Sequence, residues 1–512
     1  MYVARASLAQ CSSILNAHCA LRPAFVTQKA LARRPSKAVW TAGVALGLAG
    51  CVLVGPDYVA PALDTPPRWG RLDAAPQPGV DTGEPRDLRR WWQSLNDPLL
   101  SVLIDEALRA SPDVRLAQAR LREARAYRAL AVAALFPIVN ASGAASRTRS
   151  SEAVGSGSLG NYFSAGFDAN WELDVFGGTR RGIEAAQADL ETTEARLADT
   201  QVTLAAEVAS YYAQVRAMQL RLRIARDNLA SQTDTWQLTE WRSQAGLVSS
   251  QDVEQARTNQ EQTRAQIPAL ETSLAAAESA VEILLGQPPG AQRERLAADG
   301  DLPAVPEQIA VGIPANALRR RPDVRAAERA LAAETARVAM AEAARYPAVD
   351  LAGSIGVEAL SAAALGGGGP TTSSLLAGLV APIFDAGRLR DQVRIQDAVR
   401  EQALVTYELT VLNALQEVEN ALVALVRSGE RSRTLTRADE AARNAALMAR
   451  QRYSVGLTDF ETVLDTERTV LAVEDSLAGS RTDAVMALIQ LYKALGGGWS
   501  PPAADPVPVS RS

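Results

Sequence analysis

The chain has 512 residues, 53 basic and 58 acidic, for a formal charge of −5, and it is 47% apolar and 5% aromatic with one His and three Cys. The only His is His18 and two of the Cys are Cys11 and Cys19, so from Cys51 onward there is no His and a single thiol. A histidine-dependent nucleophile, a His-ligated metal site and a disulfide framework are excluded from that stretch, and an acidic chain without a basic block is a poor partner for nucleic acid.

Arg33, Arg34 and Lys37 precede an uncharged, mostly apolar run over 38–49. That is the order of a secretory signal. The run ends in Leu48-Ala49-Gly50-Cys51, which resembles the lipobox of bacterial lipoproteins; an ordinary signal peptide or a short anchor helix is the alternative. Residues 1–50 are therefore expected to be removed, leaving Cys51 to carry diacylglycerol on its thiol. Each buried CH₂ of such a lipid contributes roughly 0.8 kcal/mol, so two or three acyl chains anchor firmly. In this class an Asp after the Cys favours the inner membrane, so Val52 points to the outer one. Residues 51–96 form the lipidated extension.

The rest reads as one unit written twice. Ala107-Leu108-Arg109-Ala110-Ser111-Pro112-Asp113-Val114-Arg115 returns as Ala317-Leu318-Arg319-Arg320-Arg321-Pro322-Asp323-Val324-Arg325, and Gly246-Leu247 returns as Gly456-Leu457, both 210 residues later. Phe176 and Arg180 pair with Phe384 and Arg388 at 208, which implies a two-residue length change between them. The expected divisions are repeat one over 97–286, a linker over 287–313, repeat two over 314–496 and a disordered, Pro-rich tail over 497–512.

Each repeat opens with an Ala-rich helix, 97–135 in the first, which Pro137 stops. The period then changes to two. Over 162–175, Phe163, Ala165, Phe167, Ala169, Trp171, Leu173 and Val175 alternate with Tyr162, Ser164, Gly166, Asp168, Asn170, Glu172 and Asp174. That is a strand with an apolar and a polar face. Its partner covers 139–146, across a flexible loop at 155–160. Repeat two offers strands at 349–358 and 373–384, and the glycine run between them lacks the Lys-Ser/Thr of a phosphate cradle.

A very long helix follows each strand pair. Ile183, Leu190, Leu197, Leu204, Tyr211 and Met218 recur every seven residues, as do Leu404, Val411, Val418 and Leu425. This is a coiled-coil seam. A helix over 180–245 spans roughly 100 Å at 1.5 Å per residue, close to the roughly 115 Å of the two shorter helices of a repeat laid end to end. No run after Cys51 has 18 consecutive apolar residues, so no helix is expected to cross a bilayer. The strands, however, have transmembrane β length, and four strands cannot close a barrel without open edges. Closure by three chains gives twelve strands, with Asp168, Asn170, Glu172 and Asp174 toward a wet lumen. A soluble coiled coil carrying a small amphipathic sheet, without a pore, is the other reading.

The chain resembles the TolC-like outer-membrane factors, in their lipoprotein branch. The resemblance rests on Cys51 followed by Gly55-Pro56-Asp57-Tyr58-Val59-Ala60-Pro61, on Trp91-Trp92 before Asp97-Pro98, on Trp171-Glu172-Leu173-Asp174-Val175-Phe176-Gly177, and on the paired Gly-Leu turns. It implies an α-dominated fold with transmembrane β: a homotrimeric, twelve-stranded barrel continued by a periplasmic α-helical barrel. It further implies no catalytic activity and no cofactor beyond the lipid on Cys51. The implied role is the exit duct of an efflux system, joined through a periplasmic adaptor to an inner-membrane pump of the resistance-nodulation-division class. A protein-secretion duct of the same fold is the rival. Gly246, Leu247, Gly456 and Leu457 would be the periplasmic tips that dock the adaptor, and Asp465 would narrow the entrance. Asp252 and Tyr453 fall where the family has a hydrogen-bonded latch. Thr458 and Thr462 depart from its pattern, which implies a weaker latch or a single acidic ring.

Overall fold

The computed structural model describes residues 53–62, 65–70, 80–81, 83, 88–149, 151, 153, 157–298, 300–306, 308–367, 369 and 371–499. The export signal, Cys51, residues 155 and 156 of the 155–160 loop and the tail from residue 500 lie outside them.

The first expected helix is two. α1 (Pro98–Ala110) and α2 (Pro112–Ala133) meet at Ser111, whose hydroxyl accepts from the Asp113 N–H as an N-cap. Pro112 has no N–H to give and its ring would clash with the carbonyl four residues back, so the chain breaks here and Pro112 opens a new helix. The second half repeats this with α6 (Pro314–Arg320) and α7 (Pro322–Ala343). Between the halves lie a short helix, α5 (Arg293–Ala297), and β4 (Ile309–Ala310), which pairs in parallel with β1 (Val80–Asp81).

Four strands, β2 (Ile138–Arg149), β3 (Leu159–Leu173), β5 (Ala348–Ala359) and β6 (Thr371–Val380), form one antiparallel sheet in the order β2-β3-β5-β6, leaving β2 and β6 as edges. β3 takes in Leu159 and Gly160, expected in the loop, and β6 ends four residues short of Phe384.

The long helices are α3 (Gly178–Gln244) and α8 (Arg388–Ser454), each of 67 residues, and the returning helices are α4 (Ser250–Leu284) and α9 (Phe460–Ala494), each of 35. Both long helices start after a glycine in the left-handed region, Gly177 at φ 85° and Gly387 at φ 87°. These glycines stand 210 apart, so the 208 pairing of Phe176 with Phe384 does not hold at the helix starts. α3 packs against α1 and α2 along one part of its length and α4 along another, and α8 packs against α7 and α9.

The buried stripe of α3 differs from the expected seam. Leu190 and Leu204 are buried, but Ile183, Leu197 and Met218 are half-buried and Tyr211 is exposed. The close contact runs instead through Ala185, Ala188, Ala195, Ala198, Ala206, Ala209 and Ala213. Small residues let helix axes approach, and larger ones are left to the flanks. α8 holds a stretch apolar enough by composition to cross a membrane, against expectation; it also carries exposed Val405, Leu409 and Leu412.

The main core sits at mid-height, where Trp91, Trp92, Leu100, Leu103 and Ile104 meet Leu204, Val208, Tyr212 and Val215 of α3 and Leu488 and Leu491 of α9. Trp91 stacks on Tyr492 at 5.2 Å between ring centroids. Burial of such side chains contributes about 1.5–3 kcal/mol each. Residues 497–499, assigned to the tail, are packed: the Gly497 N–H donates to the Tyr492 carbonyl and the Trp499 indole to that of Arg320.

The N-terminal extension lies along the helices. Arg181, almost fully buried, donates to the carbonyls of Val54 and Gly55 and pairs at 2.7 Å with both Asp57 and Glu184. Tyr58 donates to Glu328 at 3.1 Å, and the buried Trp69 indole donates to the Gly312 carbonyl at 2.9 Å.

Candidate functional site

The sheet is sided. Its register matches even residues with even and odd with odd across all four strands, so Asn140, Ser142, Asp168, Asn170, Glu172, Asp350, Ser354, Glu358, Thr372 and Ser374 share one face. Ser142 donates to Asp168 at 3.0 Å, and the Ser354 and Ser374 hydroxyls bond at 2.7 Å. The other face carries Val139, Phe167, Trp171, Ile355, Leu375 and Leu379, all exposed and Leu375 to 85%. On the polar face Gly166 and Gly356 stand opposite each other, and a Cβ on Gly166 would lie 2.8 Å from the Ile355 carbonyl oxygen. Asp174 does not belong to this face. β3 ends at Leu173, and the Asp174 carboxylate accepts from the Thr179 and Arg180 N–H groups at 3.1 and 2.9 Å. A carboxylate suits the positive end of a helix dipole, so its place is the start of α3.

At the opposite end both hairpins turn alike. Gly246 at φ 72° and Gly456 at φ 79° let Leu247 and Leu457 donate back to the carbonyls of Arg242 and Arg452 at 2.8 Å, a Schellman closure that favours glycine at this position. Trp241, Leu247, Val455 and Leu457 are exposed around the turns. Asp252 is occupied locally: it and Ser249 cap the first turn of α4 reciprocally. Thr462 donates through its N–H and its hydroxyl to Asp459, which caps α9. Asp465 is exposed on α9.

Asp252 and Tyr453 are therefore not brought together. Tyr453 is 2% exposed, tilts against Phe460, and donates to the Thr239 hydroxyl at 3.4 Å. Arg242 lies 4.4 Å over its ring and donates to its carbonyl. The link between the hairpins thus runs through Arg242, a residue the sequence reading passed over.

Arg242 ends a series. Arg221, Asn228, Thr235 and Arg242 are seven apart on α3. Arg221 grips Asp475 through two bonds of 2.6 and 2.7 Å, Asn228 donates to Glu474 at 2.6 Å, and Thr235 donates to Glu467 at 2.5 Å. Burial pushes both glutamates above the usual carboxylate range; Thr235 and Arg450 oppose it at Glu467, and Asn228 and Arg443 at Glu474. The lower half of the joint between α3 and α9 is polar where the upper half is apolar. Heptad spacing was the available signal, but the reading sought it in apolar residues alone. Among the described residues no cluster of three or more His, Cys, Asp or Glu is placed to hold a metal.

Comparison with known proteins returns one family model, "Outer membrane efflux protein", matched twice, over residues 103–287 and 313–497. The chain is similar to nodulation protein T of Rhizobium leguminosarum bv. trifolii, 32% identical over 467 residues, covering 89% of this chain and 96% of that protein. It is similar to the pyoverdine export outer membrane protein OpmQ of Pseudomonas aeruginosa, 33% identical over 467 residues, covering 88% and 96%. Among solved structures it is similar to the outer-membrane channel OprN, 37% identical with a TM-score of 0.82, covering 88% of this chain and all of that one. It is also similar to CusC, 27% identical with a TM-score of 0.75, covering 87% and 99%.

Proposed function

The chain belongs to the outer membrane efflux protein family and is the outer-membrane duct of an efflux system; on that premise we propose that three copies close one pore, and that an adaptor and an inner-membrane pump feed it small molecules. The observation that carries the reading is the sided sheet with two unpaired edges, β2 and β6. An open edge in lipid leaves backbone groups unsatisfied, and ring closure removes it. Edge β6 of one copy meets β2 of the next, twelve strands in all, with the face of Asp168, Asn170 and Glu172 toward water and that of Phe167 and Leu375 toward lipid. Exposed Leu116, Tyr127 and Leu130 on α2 and Val405, Leu409 and Leu412 on α8 supply matching apolar flanks below.

In this reading Cys51 carries the lipid anchor, and Leu247 and Leu457 are the apolar contacts of the adaptor. Asp465 places three carboxylates about the axis, a negative constriction at the entrance. Relatives are named for export of pyoverdine, antibiotics and toluene. That spread fits a duct whose cargo is selected by a pump of the resistance-nodulation-division class. The family's work is conduction rather than catalysis. The test is the purified, lipid-bearing chain in detergent and in planar bilayers. Heat-labile trimers and ion conductance are expected; a detergent-free, soluble monomer without conductance would refute the duct.

A further inference from the structure

The internal repeat continues past the returning helices. Gly286 after α4 and Gly496 after α9 stand 210 apart, both at φ 73°. A Cβ on Gly286 would lie 3.2 Å from the Ala110 carbonyl oxygen, and one on Gly496 3.0 Å from that of Arg320, so the chain leaves both helices by the same route. In the first half it goes on to lie across α3. Gln219 donates to the Leu296 carbonyl at 2.7 Å and Arg216 to that of Ala298 at 2.5 Å, and Leu296 is fully buried. The positions 210 further on are Val426 and Gly429 of α8 for the two donors, and Pro506 and Pro508 for the two acceptors. Val426 and Gly429 line a cavity of about 530 Å³, floored by Leu425 and Val485 and walled by Leu302 and Val305. The helix has lost both donors here, and a Cβ on Gly429 would meet nothing within 4 Å. The matching segment changes with it: Pro506-Val507-Pro508-Val509 alternates valines with prolines, which have no N–H to satisfy.

We propose that residues 500–512 dock in this cavity of their own copy, with Val507 and Val509 on its apolar floor and Asp505 toward Arg433 and Arg481. Length permits it. A Cβ on Gly498 would lie 3.6 Å from Val202 and 3.7 Å from Ala205, and the cavity touches α3 at Leu220. That is fifteen residues beyond Ala205, roughly 22 Å at 1.5 Å per residue. The eight residues from Trp499 to Val507 cover roughly 25 Å at the 3.1 Å per residue of a Pro-rich chain. Charge agrees. Arg433 and Arg481 line the cavity, both exposed and without an ion pair among the described residues, whereas the third guanidinium, Arg223, lies 3.6 Å from Asp301. Proline fixes φ in advance, so ordering this segment costs less than ordering a flexible one. The two halves thus hold the same strap by different means, hydrogen bonds in the first and apolar contact in the second. The inference needs one copy only and stands apart from the duct reading.

The test is disulfide trapping in the full-length chain, which beyond residue 50 has no thiol except Cys51. Val507→Cys with Val426→Cys is expected to cross-link within one chain. Val507→Cys with Met486→Cys, which lines a separate cavity on α8 and α9, is expected to cross-link several-fold less. With Val426→Cys alone, reaction with a maleimide is expected to be slow, and several-fold faster once Val507→Asp and Val509→Asp are added. Both aspartates lie beyond the last helix, so folding of the hairpins is not at issue. Equal cross-linking at the two sites, cross-links formed only between chains, or a maleimide rate that ignores the aspartates would each overturn the proposal.

Discussion

Arg181→Ala should free the N-terminal extension and leave the rest of the fold in place. The guanidinium makes two ion pairs at 2.7 Å and two longer bonds, 3.3 and 3.4 Å, to backbone carbonyls. Asp57 is 86% exposed and Glu184 42%, so both carboxylates are rehydrated when the arginine leaves, and each pair is worth at most about 1 kcal/mol. The carbonyl bonds add about 0.5–1 kcal/mol each. The Glu184 pair is internal to α3, so the Asp57 pair and the two carbonyl bonds, about 2 kcal/mol together, act on the docking of residues 53–57 rather than on global unfolding, and correspond to a rise of roughly 30-fold in the undocked population. Hydrogen exchange at the Val54 amide, which donates to the Phe176 carbonyl at 3.3 Å, reads this directly. Exchange should quicken by that factor while the global melting temperature hardly moves. Unchanged exchange at Val54, or a global loss of stability equal to the local one, would refute the reasoning.

Gly166→Val drives a side chain into the backbone of β5 and should cost about 1–3 kcal/mol, seen as a lower melting temperature in detergent. Gly160→Val, with nothing within 4 Å of a Cβ, is the matched control and should melt like the parent. Glu467→Gln tests the polar joint through pH. Because burial raises the carboxyl in the folded state, the stabilising proton is held at low pH and lost as pH rises through the raised value. The variant should therefore melt above the parent at pH 8, with the gap closing toward pH 4; a gap that widens on acidification contradicts the burial argument. Asp465→Ala should widen the resting entrance, read as larger conductance and greater vancomycin uptake in cells that carry it, and no change in either would remove Asp465 from the constriction.

The sheet was legible in the sequence because a period of two leaves little freedom: once Phe163 to Leu173 alternate, the register sorts every polar residue to one side. Only the strand's end was hidden. The alternation runs on through Asp174 and Val175, while the chain has already turned toward Gly177. The tips were legible for a similar reason, since Gly before Leu at the end of a long helix closes in one way. The helix joints were not. Alanines pack helices more closely than leucines do, so the visible heptad of Ile183 and Tyr211 marked a flank. Asn228, Thr235 and Arg242 read in isolation as a solvated face, and only the partners on α9 and α8 reveal them as a buried joint.

Equal lengths have a consequence for how the chain tolerates change. Both outgoing helices have 67 residues and both returning ones 35, so the two hairpins of a copy reach the same depth and end on matching leucines. A single inserted residue in one arm would rotate everything below it by about 100° and lower that turn by about 1.5 Å, leaving one kind of hairpin proud of the other at a surface that a partner must meet all at once. Insertions and deletions in these arms should survive only as whole turns shared by all four, whereas the loops at the far end of the strands are free to drift.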